Sequence, residues 1–525
     1  MRPLGTCVES RNLDVATCKA TGMDELFLME KASLRLWDAV SEIIEGHVDS
    51  KAHVVAVAGK GNNGGDALAV LRHMWFSGYT RLSAIVSDGI LSRSCKKQRE
   101  FLETLGVELL PWDKNSLEGV KKALRDADLV LDGIIGIGIK VEAFGEAGDM
   151  IDIVNEYAKG AMKIAIDMPS GIGDFFKQGY RCIKADHTCV IEPEKIALYL
   201  PHARMNCGHI HLIQDVFPAK LIEKSFLKNR ILEEKDMLRL GRSVAASAYK
   251  KSRGSVIVFA GAKGTAGAAR LCTKAALAAG AGYCTLYIDE DCYDAVVPDM
   301  ESIVIRALDP LKTPELDADV ILIGPGWGEA LERVNLLRNI LQSGKPVILD
   351  ASALRLIARH KMFEYMIPQT TAMTPHPGEF IGIAQGLRCS ETGSFMECIG
   401  KIAHELQSVV VFKSHVTWID SGLGHISVLD GMKPELGTAG SGDVLAGLFA
   451  GLCAQSLAIA KEKPANSDSD AFPSMQELLS RSAELAVLVH KSAGSRMAEE
   501  KGWFLAEDLI QGCSKILHDL STTKN

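Results

Sequence analysis

The chain has 525 residues, too many for one ordinary hydrophobic core, so about two domains are expected. A hydrophobic fraction of 47%, 48 glycines and 6% aromatic residues suit an α/β enzyme and exclude a disordered or fibrous protein. With 58 basic against 66 acidic residues the net charge is -8, which argues against broad nucleic-acid or membrane-surface binding and leaves small-molecule chemistry.

Thirteen cysteines make an odd set with no C-x-x-C pair, so reduced thiols in a cytoplasmic protein are expected, not a disulfide framework or a cysteine-rich zinc site. The start, Met1 to Thr6, lacks the apolar stretch of a signal peptide. The longest apolar run, Val444 to Ala454, falls short of the roughly 20 residues that span a bilayer. The expectation is a soluble, unexported protein.

From Asp24 to Ile44, apolar residues recur at helical spacing (Leu26, Leu28, Met29, Ala32, Leu36, Ala39, Ile43), which predicts an entry helix. The β-branched run His53 to Ala58 predicts a strand; the loop Gly59 to Asp66 and a helix from Ala67 to Trp75 follow. Gly59, Gly61 and Gly64 spell G-x-G-x-x-G, with Asp88 a strand's length further on, the textual form of a dinucleotide loop. Asn62, Asn63, Gly65 and Asp66 set it apart, because they add amides and a carboxylate where a pyrophosphate loop wants neutral backbone. Further strands are read at Leu82 to Val86, Leu129 to Asp132 and Lys163 to Ile166, with a helix at Ser94 to Leu105. Asn63, Asp132, Asp167 and Ser170 thus sit at or just after carboxyl ends of strands, where parallel sheets place ligands. Simple helix capping by Asp and Ser is the alternative for each.

The pattern loosens into charged helical stretches at Lys220 to Lys228 and Leu232 to Leu240, which places the domain boundary near 225 to 240. The basic run Tyr249 to Gly254 reads as a solvated loop. A second α/β series starts with a strand at Ser255 to Ala260, the loop Gly261 to Gly267 and the helix Ala268 to Ala279. Strands at Asp319 to Ile323, Pro346 to Leu349, Thr370 to Met373 and Val409 to Phe412 lead into Gly324 to Gly328, Asp350 to Ala353, Thr374 to Glu379 and Lys413-Ser414. Lys461 to Ser474 reads as a polar insertion, and helices at Gln476 to Ala493 and Leu505 to Leu520 close the chain.

Between them lies the most informative stretch, Gly437 to Leu448, a glycine-rich turn opening a helix with Asp443 at its mouth. Converging N–H groups and the positive helix end make a phosphate site, and Asp443 there suits a base that takes a proton from a hydroxyl. A glycine turn ahead of a buried helix is the plainer alternative. No G-x-x-x-x-G-K-[ST] loop is present, so this turn would serve any nucleotide.

Leu28 to Ala32, Asn62 to Asp66, Asp132 to Gly138 and Asp167 to Gly171 resemble the YjeF N-terminal domain, the NAD(P)HX epimerase. Gly324 to Gly328, Thr374 to Glu379, Lys413 and Gly440 to Gly447 resemble the ribokinase-like NAD(P)HX dehydratase. Order and fusion match the bifunctional repair family over nearly the whole chain. The resemblance implies a Rossmann-like three-layer α/β/α domain over 1–228 and a ribokinase-like α/β domain over 229–525. It implies epimerisation of the R and S hydrates NADHX and NADPHX, and dehydration of the S form at the expense of ADP or ATP.

By the same resemblance, Asp443 and Asp167 are catalytic, and Asn63, Asp132 and Ser170 hold potassium, K+, through hard oxygen ligands. Asn62, Asn63, Gly64, Gly65 and Asp66 contact the hydrate, as do Gly136, Ile137, Gly138, Ile139, Lys140, Val141 and Glu142. Ala266, Gly326 and His376 line the substrate side of the second domain, with a packed loop histidine the alternative for His376. Lys413, Ser414, His415, Val416, Thr417, Gly440, Ser441 and Gly442 lie on the nucleotide side, with Mg2+ accompanying the donor. A homo-oligomer without nucleic-acid or membrane partners is implied.

Ala67, Ile137, Ser352, Ser414 and Glu435 depart from the family pattern, and Glu435 brings a carboxylate toward nucleotide phosphates. Two other readings stay open: a ribokinase-like kinase that releases a stable phosphate ester, and a chain in which one half is a non-catalytic nucleotide-binding module.

Overall fold

The computed structural model describes residues 1–525 apart from 226–227, 242–243, 246, 310, 390–392, 463–472 and 523–525. Most of the polar insertion read at 461–474 lies outside the described residues. The rest forms two compact units, Pro3–Asn229 and Arg230–Asn525, the second also taking in Met1 and Arg2.

The first unit is built on a parallel seven-stranded sheet in the order Glu108–Pro111, Arg81–Val86, His53–Ala58, Leu129–Gly133, Met162–Ile166, His187–Ile191 and His209–Ile213. Central strands such as His53–Ala58 are buried at every residue because helices cover both faces, which is why they read as unbroken apolar runs. Val54, Ala56 and Ala58 pack with Leu28, Leu36 and Val40 of the helix Glu25–Ile44. Val55 and Val57 pack with Val120 and Met150 from helices on the other face. The order of strands reverses between His53–Ala58 and Leu129–Gly133, and that switch point opens the crevice where α/β sheets bind ligands.

The second unit repeats the plan. Its parallel strands run in the order Val304–Leu308, Tyr283–Asp289, Ser255–Phe259, Val320–Ile323, Val347–Leu349, Thr371–Met373 and Val409–Phe412, and Val416–Asp420 and Ile426–Asp430 then add antiparallel. Its switch point lies between Ser255–Phe259 and Val320–Ile323. The helices Ala266–Ala278, Ser441–Glu462, Met475–Lys501 and Ala506–Thr522 share one core with Val256, Val258 and Leu322.

Four elements differ from, or go beyond, what was expected. Asn62 to Asp66 is not a loop but the first turn of the helix Asn62–Phe76, capped at Gly61 in extended backbone. The charged stretch at 220–240 is the short helix Ala219–Lys224, a strand Asn229–Ile231 and a one-turn helix Met237–Leu240. That strand exists by pairing with distant Ser427 and Val428, which local charge pattern does not show. A helix Cys7–Thr21, unannounced because its buried face carries Ser10 and Thr17 beside Leu13, precedes the entry helix.

The fourth concerns Ser441–Lys461, which by length and hydropathy is apolar enough to cross a membrane although its uninterrupted apolar run is short. Here it is a core helix, 78% buried in its most apolar window. Its glycines bring it against Ala266–Ala278: a Cβ on Gly447 would lie 2.0 Å from the Cys272 carbonyl oxygen, and one on Gly451 2.3 Å from that of Ala276. The thirteen cysteines form no disulfide, and all but Cys18 are buried.

Candidate active sites

In the first unit the two strand ends at the switch point meet through glycine. A Cβ on Gly59 would fall 1.9 Å from the Ile134 carbonyl oxygen, and one on Gly133 2.5 Å from the Ala67 Cβ. The Ala67 methyl, a departure from the resembled pattern, fits because Gly133 opposite carries no side chain. Above this junction lies a cavity of about 1000 Å³, lined by Asn62, Asn63, Asp66, Gly136, Ile137, Gly138 and Asp167 among the expected residues. Gly64 and Gly65 are buried beneath it, Gly65 against Met29. Ile139 is buried, Lys140 and Val141 are exposed and Glu142 is half-buried; none of these four lines the cavity.

Asp132 is completely buried. Its Oδ1 accepts from the Ser170 hydroxyl at 2.5 Å and its Oδ2 from the Ser170 N–H at 2.8 Å. No cation reaches it among the described residues, and burial pushes its carboxyl up to about 6, against the pull of the Ser170 and Ile134 hydrogen bonds. The Asn63 side chain lies against Gly136, about 3 Å from where a Cβ would stand, and its buried amide nitrogen has no hydrogen-bond partner. A buried carboxylate without a counter-charge, a hydroxyl and an amide form a donor set that fits a hard monovalent cation.

Asp167 follows the strand Met162–Ile166 with φ +65°, a left-handed conformation strained for a residue with a side chain. Its Oδ1 accepts from Lys195 Nζ at 2.5 Å and from the Ile191 N–H at 3.1 Å. Lys195, Asp14, Glu25 and Glu192 also line the cavity, and the sequence reading missed all four. Lys195 is 28 residues from Asp167 and reaches it because Met162–Ile166 pairs with His187–Ile191. The carboxyl of Asp66 is held well above the usual range, by burial first and then by Asp167 and Asp14, with Lys195 opposing. Burial also raises Asp14 to about 6.

In the second unit Gly440 takes φ +89° and turns the chain into the helix Ser441–Glu462. Gly442 and Asp443 therefore lie in its first turn, where N–H groups have no partner within the helix. His490, buried on Met475–Lys501, places Nε2 3.0 Å from the Ser441 carbonyl oxygen and 3.1 Å from its hydroxyl. Burial pushes this imidazole down to about 4. Asp443 is raised to about 6, by burial first and then by Asp350, with Lys413 opposing. Lys413 Nζ stands 3.6 Å from where a Gly442 Cβ would be and donates to Asp350 Oδ1 at 2.5 Å, which also accepts from the Thr374 hydroxyl at 2.7 Å.

Ser414 turns its hydroxyl to the Val416 carbonyl oxygen at 2.8 Å, and the His415 carbonyl oxygen accepts from the Gly431 N–H. Val416 and Thr417 open the antiparallel strand Val416–Asp420. Ala266 begins its helix, and the Gly326 carbonyl oxygen accepts from the Thr265 hydroxyl at 2.6 Å, which ties the two switch-point loops together. His376 is neither a packed loop residue nor free: it caps the helix Pro377–Gly386, its Nδ1 accepting from the Gly378 N–H at 3.0 Å and its Nε2 lying 3.2 Å from Glu379 Oε1. Ser352, in place of an aspartate, accepts from the Gly328 N–H at 3.1 Å and from Arg355 at 3.2 Å. Among the described residues, no group of three or more His, Cys, Asp or Glu side chains is arranged to hold a metal ion.

Residues 25–195 match the family described as YjeF-related protein N-terminus, and residues 256–514 match NAD(P)H-hydrate dehydratase. The chain is 28% identical to the bifunctional NAD(P)H-hydrate repair enzyme Nnr of Moorella thermoacetica, covering 98% of this chain and 97% of the relative. It is 27% identical to the Nnr of Coxiella burnetii, covering 93% and 94%. A crystal structure of a ribokinase-like superfamily protein from Enterococcus faecalis is similar to 56% of this chain and 98% of its own, at 24% identity and a TM-score of 0.47. Matched in both halves, in order and over nearly its full length, the chain belongs to the family of bifunctional NAD(P)H-hydrate repair enzymes.

Proposed function

We propose that this chain repairs hydrated nicotinamide nucleotides, the first unit interconverting R and S NAD(P)HX and the second dehydrating the S form with ADP or ATP as phosphoryl donor. What supports the reading most is that a crevice lined by Asp66, Asp167 and Lys195 forms at the switch point of the first sheet, while the second unit sets a glycine turn and a raised carboxylate at a helix start. In the second unit Asp443 takes the proton of the ring hydroxyl as that oxygen attacks the donor phosphoryl group, with the N–H groups of Gly440, Ser441 and Gly442 holding the phosphoryl oxygens. Phosphate is a far better leaving group than hydroxide, and its loss restores the dihydropyridine.

Mg2+ would be carried chiefly by the donor's phosphates and water, as that cation commonly is. In the first unit K+ would sit at Asn63, Asp132 and Ser170, where it supplies the charge that Asp132 lacks and stiffens the loop over Gly133 to Gly138. Asp167, held by Lys195, exchanges a proton with the hydrate.

The test is recovery of reduced-nicotinamide absorbance from mixed R and S NADHX with magnesium, potassium and either nucleotide, alongside product analysis. Complete recovery with AMP or ADP and inorganic phosphate is expected. A stable phosphate ester would instead make the second unit a kinase, and arrest at the S fraction would make the first unit non-catalytic.

A further inference from the structure

The cavity of the first unit holds two carboxyl groups in opposite circumstances. Asp167 and Lys195 are 8% and 3% exposed, and Asp167 uses only Oδ1 toward Lys195 and Ile191. Its Oδ2 takes no hydrogen bond among the described residues, while Lys195 Nζ is anchored a second time on the Ile191 carbonyl oxygen at 2.7 Å. Asp66 lines the same cavity from the first turn of Asn62–Phe76 and makes no hydrogen bond or ion pair among the described residues. The groups that face it are Asp167, Asp14, Glu25, Lys195 and Cys95, three of them carboxyls and one a cation committed to Asp167. Asp66 stands on the helix that follows His53–Ala58 and Asp167 at the end of Met162–Ile166; these two strands pair on either side of Leu129–Gly133, and both carboxyls line the one cavity above it.

We propose that Asp66 and Asp167 are the acid and base of the epimerisation, Asp66 giving its proton to the departing ring hydroxyl and Asp167 taking one from the water that adds, with Lys195 positioning Asp167. The proposal rests on the first unit being the epimerase. The hydrate carries its hydroxyl on the carbon beside the ring nitrogen. As the C–O bond breaks, the Asp66 proton joins the oxygen and the nitrogen lone pair forms a C=N bond, leaving an iminium ring and water. A water then adds at the other face: its lone pair makes the new C–O bond, the C=N pair returns to nitrogen, and its proton passes to Asp167. One proton has moved from Asp66 to Asp167, exchange with solvent restores both, and reversal of the steps serves the other epimer. A proton donor and a proton acceptor in one site is the arrangement such chemistry needs: burial among like charges favours the protonated form of Asp66, while Asp167 is ion-paired with Lys195.

The test uses the full-length protein with K+ in water enriched in ¹⁸O, correcting for spontaneous exchange. Each enzymatic epimerisation is expected to place one ¹⁸O on the ring carbon; retention of the original oxygen, as ring opening and closure would give, overturns the proposal. Asp66→Asn is expected to slow epimerisation at least ~100-fold and to remove the loss of rate at alkaline pH. Lys195→Met is expected to lower the rate and move its acid limb to higher pH, with Lys195→Arg restoring part of both. Asp66→Asn at the wild-type rate overturns the acid role alone, an unmoved acid limb in Lys195→Met overturns the positioning role, and a wild-type chain that leaves R and S unchanged overturns the epimerase reading beneath both.

Discussion

The two sites are both built at carboxyl ends of strands in parallel sheets, yet they distribute charge in opposite ways. In the first unit the buried cation meets the carboxylate proposed as base: Lys195 is on Asp167 at 2.5 Å. In the second, Lys413 is at 2.5 Å from Asp350, and Asp443 is left without an ion pair among the described residues. An isomerisation needs no outside reagent, and the proposed acid, base and positioning lysine of its site all lie within the fold. A phosphoryl transfer brings in a polyanion with its metal, and a helix start beside a lysine already partnered by a carboxylate leaves the charge balance to be completed by that ligand.

The strongest way to break this contrast is Asp443→Asn. It is expected to lower nucleotide-dependent dehydration by about 10²- to 10⁴-fold while nucleotide binding, followed by calorimetry, persists. A fully active variant would remove Asp443 from the role of base. Asp132→Asn tests the first unit, where K+ is proposed to sit: potassium activation of epimerisation is expected to weaken by about 10- to 100-fold in a K+ titration, with dehydration unaffected.

Gly447→Ala probes how the second site is held. The added methyl meets the Cys272 carbonyl oxygen, so about 1–3 kcal/mol of stability should be lost in thermal unfolding, and the Asp443 turn should move with its helix. The smallest effect concerns pH. Asp443 must be ionised to act as base, and its proton affinity is raised to about 6, so kcat/KM for nucleotide-dependent dehydration should fall as pH drops through about 6. The slope should approach tenfold per unit, and a rate unchanged down to pH 5 would exclude Asp443 as the titrating base.

Much of the scaffold was legible. Parallel strands buried on both faces appear as continuous apolar runs such as Val54 to Ala58 and Val320 to Ile323, and their ends are marked by glycine and Asp. Asp132, Asp167 and the turn at Gly440 were read from that punctuation. Helix starts were less legible, because Asn62-Asn63-Gly64-Gly65 is poor in helix formers and is helical only since Gly64 and Gly65 pack tightly on Gly59 and Met29.

By itself, then, the sequence determined two α/β series, the edges at which ligands are met and the chemical types offered there, because each follows from local pattern and turn chemistry. The tertiary structure alone decided the partners. Lys195 reaches Asp167, Lys413 reaches Asp350 across 63 residues, and His490 reaches Ser441 across 49, each through strand pairing or helix packing that joins distant segments. Protonation states followed from the same step, since burial and neighbouring charge, neither of which is local, set them.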